Sequence, residues 1–463
     1  MNKLQREIVE NKAQITNSNE KKAQRKELAD SLLDTVSGGW INAFANWKGL
    51  VMNVAGGDYF PLLFLYRERM TMAIVKSEKV KHLEVILKIS ERCNINCTYC
   101  YVFNMGNTLA ADSAPVISLD NVVALRGFFE RSAVENEIEV IQVDFHGGEP
   151  LMMKKERFDQ MCETLRKGDY GNSRLVLALQ TNGILIDDEW ITLFEKHRIH
   201  VSISIDGPKH INDRHRLDRK GKSTYEGTVN GLRMLQNAWV QGRLPGEPGI
   251  LSVANAKANG EEIYRHFTEV LKCQRFDFLI PDDQYTDSID AKGVGRFLNE
   301  ALDAWFSDGQ PKIFVRIFNT YLGTMLNNQF SRVLGMSANV ESAYAFTVTS
   351  DGLLRIDDTL RSTSDKIFNA IGHVSELTLA NALESPNVKE YLSLSSELPH
   401  GCNDCVWANV CHGGRLVNRF SRANRFHNKT VFCSSMRLFL SRAASHLIAA
   451  GVSEEAIMKN IQK

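Results

Sequence analysis

Three closely spaced cysteines, Cys93, Cys97 and Cys100, are the residues of this sequence best suited to redox chemistry. They directly follow the apolar run 83–89, in the segment SERCNINCTYCYVF. Three thiolates this close can hold a four-iron cluster and leave one iron without a protein ligand, and such an iron can bind a chelating cofactor. A structural zinc site or unliganded core thiols are the alternatives, although no fourth ligand lies at zinc-like spacing.

A second group of cysteines lies near the C-terminus. It consists of Cys402, Cys405, Cys411 and Cys433. Four cysteines can complete one further iron–sulfur cluster, and a zinc ribbon-like site is the alternative. Cys162 and Cys273 fall in helical patterns, so we expect them to be buried apolar residues rather than ligands.

The elements that must position the first group alternate between strand and helix. Strand-like runs lie at 83–89, 138–145, 174–180, 200–205, 249–255 and 275–280. Helical patterns lie near 118–134, 154–168, 187–197, 223–240, 259–272 and 291–307. Six β-then-α units in succession predict an α/β fold with a parallel sheet and helices outside it. Because six units are too few for a closed eight-fold barrel, we expect an open, partial (β/α)6 barrel.

Composition excludes several classes of protein. The 463 residues contain 55 Lys and Arg against 55 Asp and Glu, a balance that argues against nucleic-acid or membrane binding by bulk charge. No apolar run approaches the roughly 20 residues that span a bilayer, and no secretory signal is visible. We therefore expect a cytoplasmic protein whose nine cysteines stay reduced.

The order of the motifs resembles the radical S-adenosylmethionine (SAM) superfamily. In that family, a turn like Gly147-Gly148-Glu149 binds the amino group of SAM. The resemblance also implies an aromatic residue near adenine and polar contacts to the ribose and carboxylate at the ends of the third and fourth strands. The corresponding residues here are Tyr99, Asn182, Ser202, Ser204 and Asp206. The resemblance implies SAM and one [4Fe–4S] cluster at this end of a barrel, where such folds build active sites.

The second cysteine group resembles the SPASM extension of radical SAM enzymes that modify peptides. That extension commonly holds two auxiliary clusters, but this sequence has Asp357 and Arg415 where the pattern has cysteines. No cysteine occurs from 274 to 401, so the other ligands of the first auxiliary cluster are missing too. We therefore expect one auxiliary [4Fe–4S] cluster.

The N-terminal segment differs from the rest of the chain. Residues 1–37 are highly charged and lack aromatics, which is typical of a flexible or weakly helical tail. Gly38-Gly39 then introduces two aromatic-x-Asn triplets, Trp40-Ile41-Asn42 and Phe44-Ala45-Asn46. An amphipathic docking helix would also place Trp40, Phe44 and Trp47 on one face.

Residues 1–54 resemble a ribosomal precursor peptide, with a leader at 1–39 and a core at about 40–54. The whole chain resembles Xye-type enzymes that make three-residue cyclophanes, fused to their own substrate. The expected organisation continues with a linker at 55–80, the barrel at 81–307, a connector at 308–345 and a SPASM-like domain with a terminal helix at 346–463.

The resemblance implies a peptide-modifying oxidoreductase. A 5′-deoxyadenosyl radical would remove a hydrogen from Cβ of Asn42 or Asn46, and that carbon would bond to the ring of Trp40 or Phe44. Positions one and three of an extended strand point to the same side, which suits the crosslink. The partners would be the precursor peptide, in cis or in trans, and an electron donor such as flavodoxin or ferredoxin.

The proton released from the ring needs an acceptor. Asp282, Asp283 and Asp357 are candidate bases by position, although each is more readily explained as a structural or surface residue. Two other functions stay open: oxidation of a serine or cysteine in a protein, as sulfatase-maturing enzymes perform, and a non-catalytic metal scaffold that binds a peptide.

Overall fold

A ten-stranded sheet forms the frame of the protein. A computed structural model describes Lys26, Leu28 and the ranges 81–285, 287–326 and 343–461. The strands are β1 His82–Ser90, β2 Val140–Gly147, β3 Arg174–Thr181, β4 Ile199–Ser204, β5 Gly249–Val253, β6 Arg275–Leu279, β7 Phe314–Val315, β8 Ala343–Val348, β9 Leu353–Arg355 and β10 Gly372–His373. Their spatial order is β10-β9-β8-β1-β2-β3-β4-β5-β6-β7.

The strands from β8 through β1 to β7 are parallel, and β9 and β10 add an antiparallel edge. This confirms the α/β fold with a parallel sheet. No pairing between β7 and β8 closes the sheet within the described residues.

Helices follow the strands and continue into the C-terminal region. They are α1 Leu109–Asp112, α2 Leu119–Glu135, α3 Lys155–Arg166, α4 Asp188–Lys196, α5 Lys209–Asn212, α6 Tyr225–Val240, α7 Gly260–Arg265, α8 Ala291–Asp308, α9 Arg316–Leu326, α10 Leu379–Glu384, α11 Pro386–Ser396, α12 Ala408–Cys411, α13 Cys433–Ala449 and α14 Glu454–Ile461. Short 3-10 turns lie at Pro150–Met152, Asp358–Thr363, Lys366–Phe368 and Val417–Arg419. No helix among the described ranges is long and apolar enough to cross a membrane.

The alternation along β1 shows how the sequence builds an inside and an outside. Leu83, Val85 and Leu87 are fully buried in the main hydrophobic core. Their neighbours Glu84 and Ile86 line the cavity inside the barrel. Successive side chains of a strand point to opposite faces, so a polar residue can sit in the lumen between buried aliphatic residues.

Two expectations about the later chain need correction. The segment expected as a connector, 308–345, contains β7 and the helix α9. The expected domain boundary at 346 falls inside β8, which pairs in parallel with β1. That strand therefore belongs to the barrel sheet, because its hydrogen bonds are made with the first strand of the barrel and not with the C-terminal region alone.

The C-terminal region packs against the barrel through α8 and α13. A Cβ placed on Gly295 would lie 2.8 Å from the Cα of Ser435, so the two helices approach closely at this glycine. Arg442 on α13 donates to Asp303 on α8 at 2.7 Å. The first turn of α13, which begins at Cys433, is thereby held against α8.

Candidate functional site

The loop after β1 brings the first three cysteines together. Cys93 and Cys97 are buried with Ile95 in a small apolar cluster that is separate from the main core, and Cys100 packs against it. The loop is held by backbone bonds from Asn96 to Leu217 O at 2.8 Å and from Thr98 to His215 O at 3.0 Å.

Burial, chiefly, raises the pKa of Cys93 to about 12 and that of Cys97 to about 11, and each thiol is further affected by neighbouring thiols. Burial disfavours the charged thiolate because it is poorly solvated, so coordination to a cation stabilises the thiolate strongly. The donor set of three soft sulfurs in an apolar shell fits an iron–sulfur cluster.

Gly147 and Gly148 form a turn that no other residue could make. Gly147 has φ +139°, and a Cβ there would lie 2.0 Å from Ser90 O. A Cβ on Gly148 would lie 2.3 Å from Arg92 O. The two glycines therefore let the end of β2 pass directly against the start of the cysteine loop.

Glu149 follows that turn and is almost completely buried. Its Oε1 accepts from Thr181 Oγ1 at 2.6 Å and from Leu151 N at 3.0 Å, and its Oε2 accepts from Asn182 N at 2.8 Å. Burial raises the pKa of Glu149, while these donors oppose the shift. These hydrogen bonds fix the carboxylate in one orientation between β2 and β3, and Oε2 accepts its hydrogen bond from the backbone of Asn182.

Tyr99 and Asp206 are hydrogen-bonded to each other, and Arg216, which the sequence did not single out, binds the same tyrosine. Tyr99 donates to Asp206 Oδ2 at 2.6 Å, and Arg216 donates to the Tyr99 hydroxyl at 2.9 Å. The other oxygen of Asp206 accepts from Val253 N at 3.0 Å. One oxygen of Asp206 therefore holds the Tyr99 hydroxyl and the other holds the backbone of β5.

The remaining predicted contacts lie at the ends of β3 and β4. Asn182 donates to Asn94 Oδ1 at 2.7 Å, which ties the end of β3 to the cysteine loop. Ser204 accepts from Gln180 at 2.7 Å. Ser202, Ser204 and Asn182 all line the same cavity.

One cavity of about 1610 Å³ connects these groups. The three cysteines of the loop, Glu149 and Asp206 line one end of it. Lys81 and Arg174 lie at the N-terminal ends of β1 and β3, and they line the other end of the cavity. The cavity therefore follows the barrel lumen. Its volume exceeds the range of roughly 300–1,000 Å³ usual for a small-ligand pocket.

The second cysteine group also converges. Burial, chiefly, raises the pKa of Cys411 to about 12, with further contributions from the other three thiols of the group, Cys402, Cys405 and Cys433. The loop is shaped by Gly413 and Gly414, both with positive φ, and by a bond from Thr430 N to Gly413 O at 2.9 Å. Four mutually interacting thiols fit one further cluster. Among the described residues, no group of three or more His, Cys, Asp or Glu is spaced for a single metal ion.

Asp357 and Arg415 are far apart in sequence but interact in the structure. Arg415 forms an ion pair with Asp282 at 2.8 Å, and its positive charge acts on Asp357 as well. Burial raises the pKa of both aspartates, and Arg415 opposes the shift. Arg415 also donates to Ile280 O at 3.1 Å, so this network joins the loop after β6 to the second cysteine region.

Of the three candidate bases, Asp283 differs from the other two. Asp282 is paired with Arg415, and Asp357 accepts from Thr359 N at 3.0 Å at the start of a 3-10 turn. Asp282 and Asp283 both line the cavity, but for Asp283 burial together with Asp287 and Asp282 raises the pKa to about 6.

These positions match a known family. Residues 87–249 match the family described as the Radical SAM superfamily. The chain carries a radical SAM domain. The fold expected from the sequence is thereby confirmed, with the cysteine loop and the Gly147–Glu149 turn inside the matched range.

Curated relatives match the chain well beyond residues 87–249. A cysteine-type anaerobic sulfatase-maturating enzyme of Clostridium novyi is 27% identical over 386 residues, 80% of this chain and 97% of that protein. A serine-type anaerobic sulfatase-maturating enzyme of Bacteroides thetaiotaomicron is 24% identical over 371 residues, 74% of this chain and 84% of that protein. A solved structure described as native anSMEcpe with bound AdoMet and Kp18Cys peptide is 25% identical, with a TM-score of 0.67 over 80% of this chain and 99% of that one.

A buried charged network beneath the radical SAM site was not foreseen. Asp358 pairs with Lys88 and accepts from the Tyr101 hydroxyl at 2.7 Å. Burial opposes ionisation of Asp358, but Lys88 and Arg361 outweigh it and hold the pKa of that carboxyl at about 2. Lys88 also contacts His146 Nδ1 at 3.0 Å. A sequence signal existed for Lys88 and His146, since each interrupts an apolar strand, but nothing linked them to Asp358.

The predicted substrate positions Trp40, Asn42, Phe44 and Asn46 lie outside the described residues. The same is true of the proposed linker 55–80 and nearly all of the leader-like segment.

Proposed function

We propose that this radical SAM enzyme modifies a ribosomally made peptide, forming ring-carbon to Cβ crosslinks within aromatic-x-Asn triplets. The observation that carries the proposal is the single large cavity onto which the cysteine loop, Glu149 and Asp283 open. Its volume leaves room for a peptide segment beside a nucleoside cofactor.

Residues of this chain would hold the implied cofactors. Cys93, Cys97 and Cys100 would ligate one [4Fe–4S] cluster, and the four C-terminal cysteines would ligate an auxiliary one. Glu149 would accept a hydrogen bond from the ammonium of SAM, and Tyr99 would pack near the adenine. When bound, this cofactor pair supplies a 5′-deoxyadenosyl radical able to take hydrogen from an unactivated carbon.

The proposed substrate is the chain's own segment around residues 40–49. Strand β1 has nine residues and therefore rises about 30 Å from the bottom of the barrel to the cysteine loop. The 34 residues between Asn46 and Lys81 could span over ~100 Å when extended. Chain length thus permits the triplets to reach the cavity in cis, and a separate precursor could enter in trans.

Crosslink formation must release one electron and one proton from the ring. Of the two candidate bases that line the cavity, Asp282 is paired with Arg415, whereas the pKa of Asp283 of about 6 lets it be ionised yet basic near neutral pH. The auxiliary cluster would accept that electron, and an electron donor such as flavodoxin or ferredoxin would supply the electron that starts SAM cleavage. Such reductants and SAM are available in the cytoplasm, where we place the reaction.

Mass spectrometry of residues 40–49 after anaerobic turnover tests the proposal. We expect a loss of two hydrogens for each triplet, with fragmentation blocked inside Trp40–Asn42 and Phe44–Asn46. Asn46→Gly should remove one of the two losses, because glycine has no Cβ, and Cys93→Ala should remove both. An unmodified segment after demonstrated SAM cleavage would contradict the proposal.

Oxidation of a cysteine or serine in a protein substrate is the second candidate. It is favoured by the likeness to sulfatase-maturating enzymes over 80% of this chain. The missing cysteines at Asp357 and Arg415 count against it. A peptide with a single cysteine or serine, supplied in trans, separates the two: an aldehyde captured by a hydroxylamine probe would support oxidation and not crosslinking.

A further inference from the structure

Leu28 is buried although it lies in the leader-like segment. Its side chain is 2% exposed and belongs to the same contiguous hydrophobic core as Leu83 and Val85 of β1. Lys26, two residues earlier, is exposed, and both residues are helical. An aliphatic side chain reaches such burial only when it packs against other apolar groups, here those of the enzyme core.

The sheet offers little for binding a leader as an added strand. Strand addition needs a free edge whose backbone groups can pair over several residues. The two edge strands within the described ranges, β7 and β10, have two residues each. A helical contact through Leu28 is therefore better supported than strand addition.

The sequence around Leu28 has the pattern that a docked helix requires. Leu32 and Val36 follow at spacings of four residues, while Lys26, Asp30 and Asp34 occupy other positions. Apolar residues at i, i+4 and i+8 lie along one side of a helix, with the charged residues away from that line.

We propose that the leader-like segment docks on the enzyme's own core as an amphipathic helix anchored by Leu28. This deepens the proposed function and rests on it for the identity of the docked segment as a leader. Asn46 lies 18 positions after Leu28, and a chain of that length can extend about 60 Å. The anchor therefore keeps both triplets within reach of the cavity while leaving them free to move into it.

Hydrogen exchange of the full chain tests the docking without any turnover. In the absence of SAM and reductant, amides around 26–34 should exchange at least about tenfold more slowly than those around 40–54, because a packed helix must open before it exchanges. Leu28→Asp should abolish this protection, and Leu28→Ala should reduce it. Lys26→Asp, which introduces the same residue at the exposed neighbour, should leave it intact.

The outcome does not depend on crosslink chemistry. Hydrogen exchange of the strand segments 83–89 and 140–147 reports whether the barrel of each variant is folded. The wild-type measurement remains valid even if the Leu28→Asp variant does not fold. Protection at 26–34 without any mass loss at 40–49 would keep the docking and reject the proposed reaction. Unprotected amides at 26–34 in the wild-type chain, or protection that survives Leu28→Asp, would overturn the docking.

Discussion

At the residue scale, the glycine turn after β2 leaves no room for a side chain. Gly147→Ala would place a Cβ 2.0 Å from Ser90 O at φ +139°. We expect a loss of unfolding free energy of about 3 kcal/mol or more, since both backbone segments would have to move. SAM affinity should fall with it, because Glu149 would shift.

Urea unfolding and equilibrium SAM binding measure these effects. Gly171→Ala is the matched control: its φ is +57°, but its Cβ would meet nothing within 4 Å. That variant should cost about 1 kcal/mol from backbone strain alone. Equal costs at the two sites would show that the close approach to Ser90 is unimportant.

Asp283 should make stability depend on pH. Burial raises its pKa to about 6, above the roughly 3.9 of an unfolded chain. Ionisation is therefore harder in the folded state, and the stability present below pH 4 is lost as the pH rises through about 6.

Asp283→Asn removes that loss, so its melting temperature should rise relative to wild type between pH 4 and 7. Thermal melts across this range provide the measurement. Asp120→Asn, at an exposed position in the first turn of α2, should show no such gain, since a charge near a helix N-terminus is favourable. A constant difference between Asp283→Asn and wild type would contradict the shifted pKa.

Local motifs could be predicted from the sequence, whereas long-range partners could not. The cysteine spacing and the Gly147–Glu149 turn are contiguous, and each constrains chemistry or backbone by itself. Arg216 reaches Tyr99 across 117 residues. Nothing in the local sequence identifies this arginine as a partner of Tyr99, because the contact forms only after β4 and the segment that follows it have folded.

At the element scale, Asp277 joins β6 to the start of α9. Its Oδ1 accepts from Ile317 N at 2.9 Å, and its Oδ2 accepts from Arg316 Nε at 2.7 Å. Asp277→Ala would leave the helix without its cap and a partly exposed arginine without its partner. We expect a loss of about 2–3 kcal/mol in unfolding free energy.

Asp290→Ala is the matched control in denaturant unfolding. Asp290 caps α8 by accepting from Gly293 N at 2.9 Å, but it is exposed and has a cap role alone. Its removal should cost about 1 kcal/mol. If both variants lost the same amount, the ion pair with Arg316 would contribute nothing.

The elements that sequence reasoning found were those with a clear period. The six βα units were recognisable because buried strands read as aliphatic runs and the helices carry apolar stripes. Helix α9 was missed, since its sequence RIFNTYLGTML is apolar on most sides and it is capped from β6 rather than by a neighbouring residue. The pairing of β8 with β1 was missed because it joins segments over 250 residues apart.

At the scale of the whole molecule, a half-buried charge network joins the barrel to the C-terminal region. Asp357 and Arg415 stand where the SPASM pattern has cysteines, and with Asp282 they form a network between the barrel and the C-terminal region. Arg415 pairs with Asp282 and its positive charge also acts on Asp357, so the network links these segments electrostatically.

Iron content should reflect this arrangement. Anaerobically reconstituted protein should hold about eight iron and eight sulfide atoms, two four-iron clusters rather than three. Cys411→Ala should lower iron to about half, and Cys162→Ala, at a fully buried helical cysteine, should leave it unchanged. About twelve iron atoms would contradict the loss of a cluster, and two zinc ions would contradict both sites.

The Arg415→Leu variant tests the charge network without removing a cluster ligand. It should leave the iron content near eight atoms, because the arginine is not a ligand. It should nevertheless lower the unfolding free energy by about 3 kcal/mol, since Asp282 and Asp357 would lose their shared cation. Asp282→Asn combined with Arg415→Leu should recover part of that loss, because one uncompensated carboxylate is removed. A loss of iron in Arg415→Leu would instead show that this network supports the auxiliary site itself.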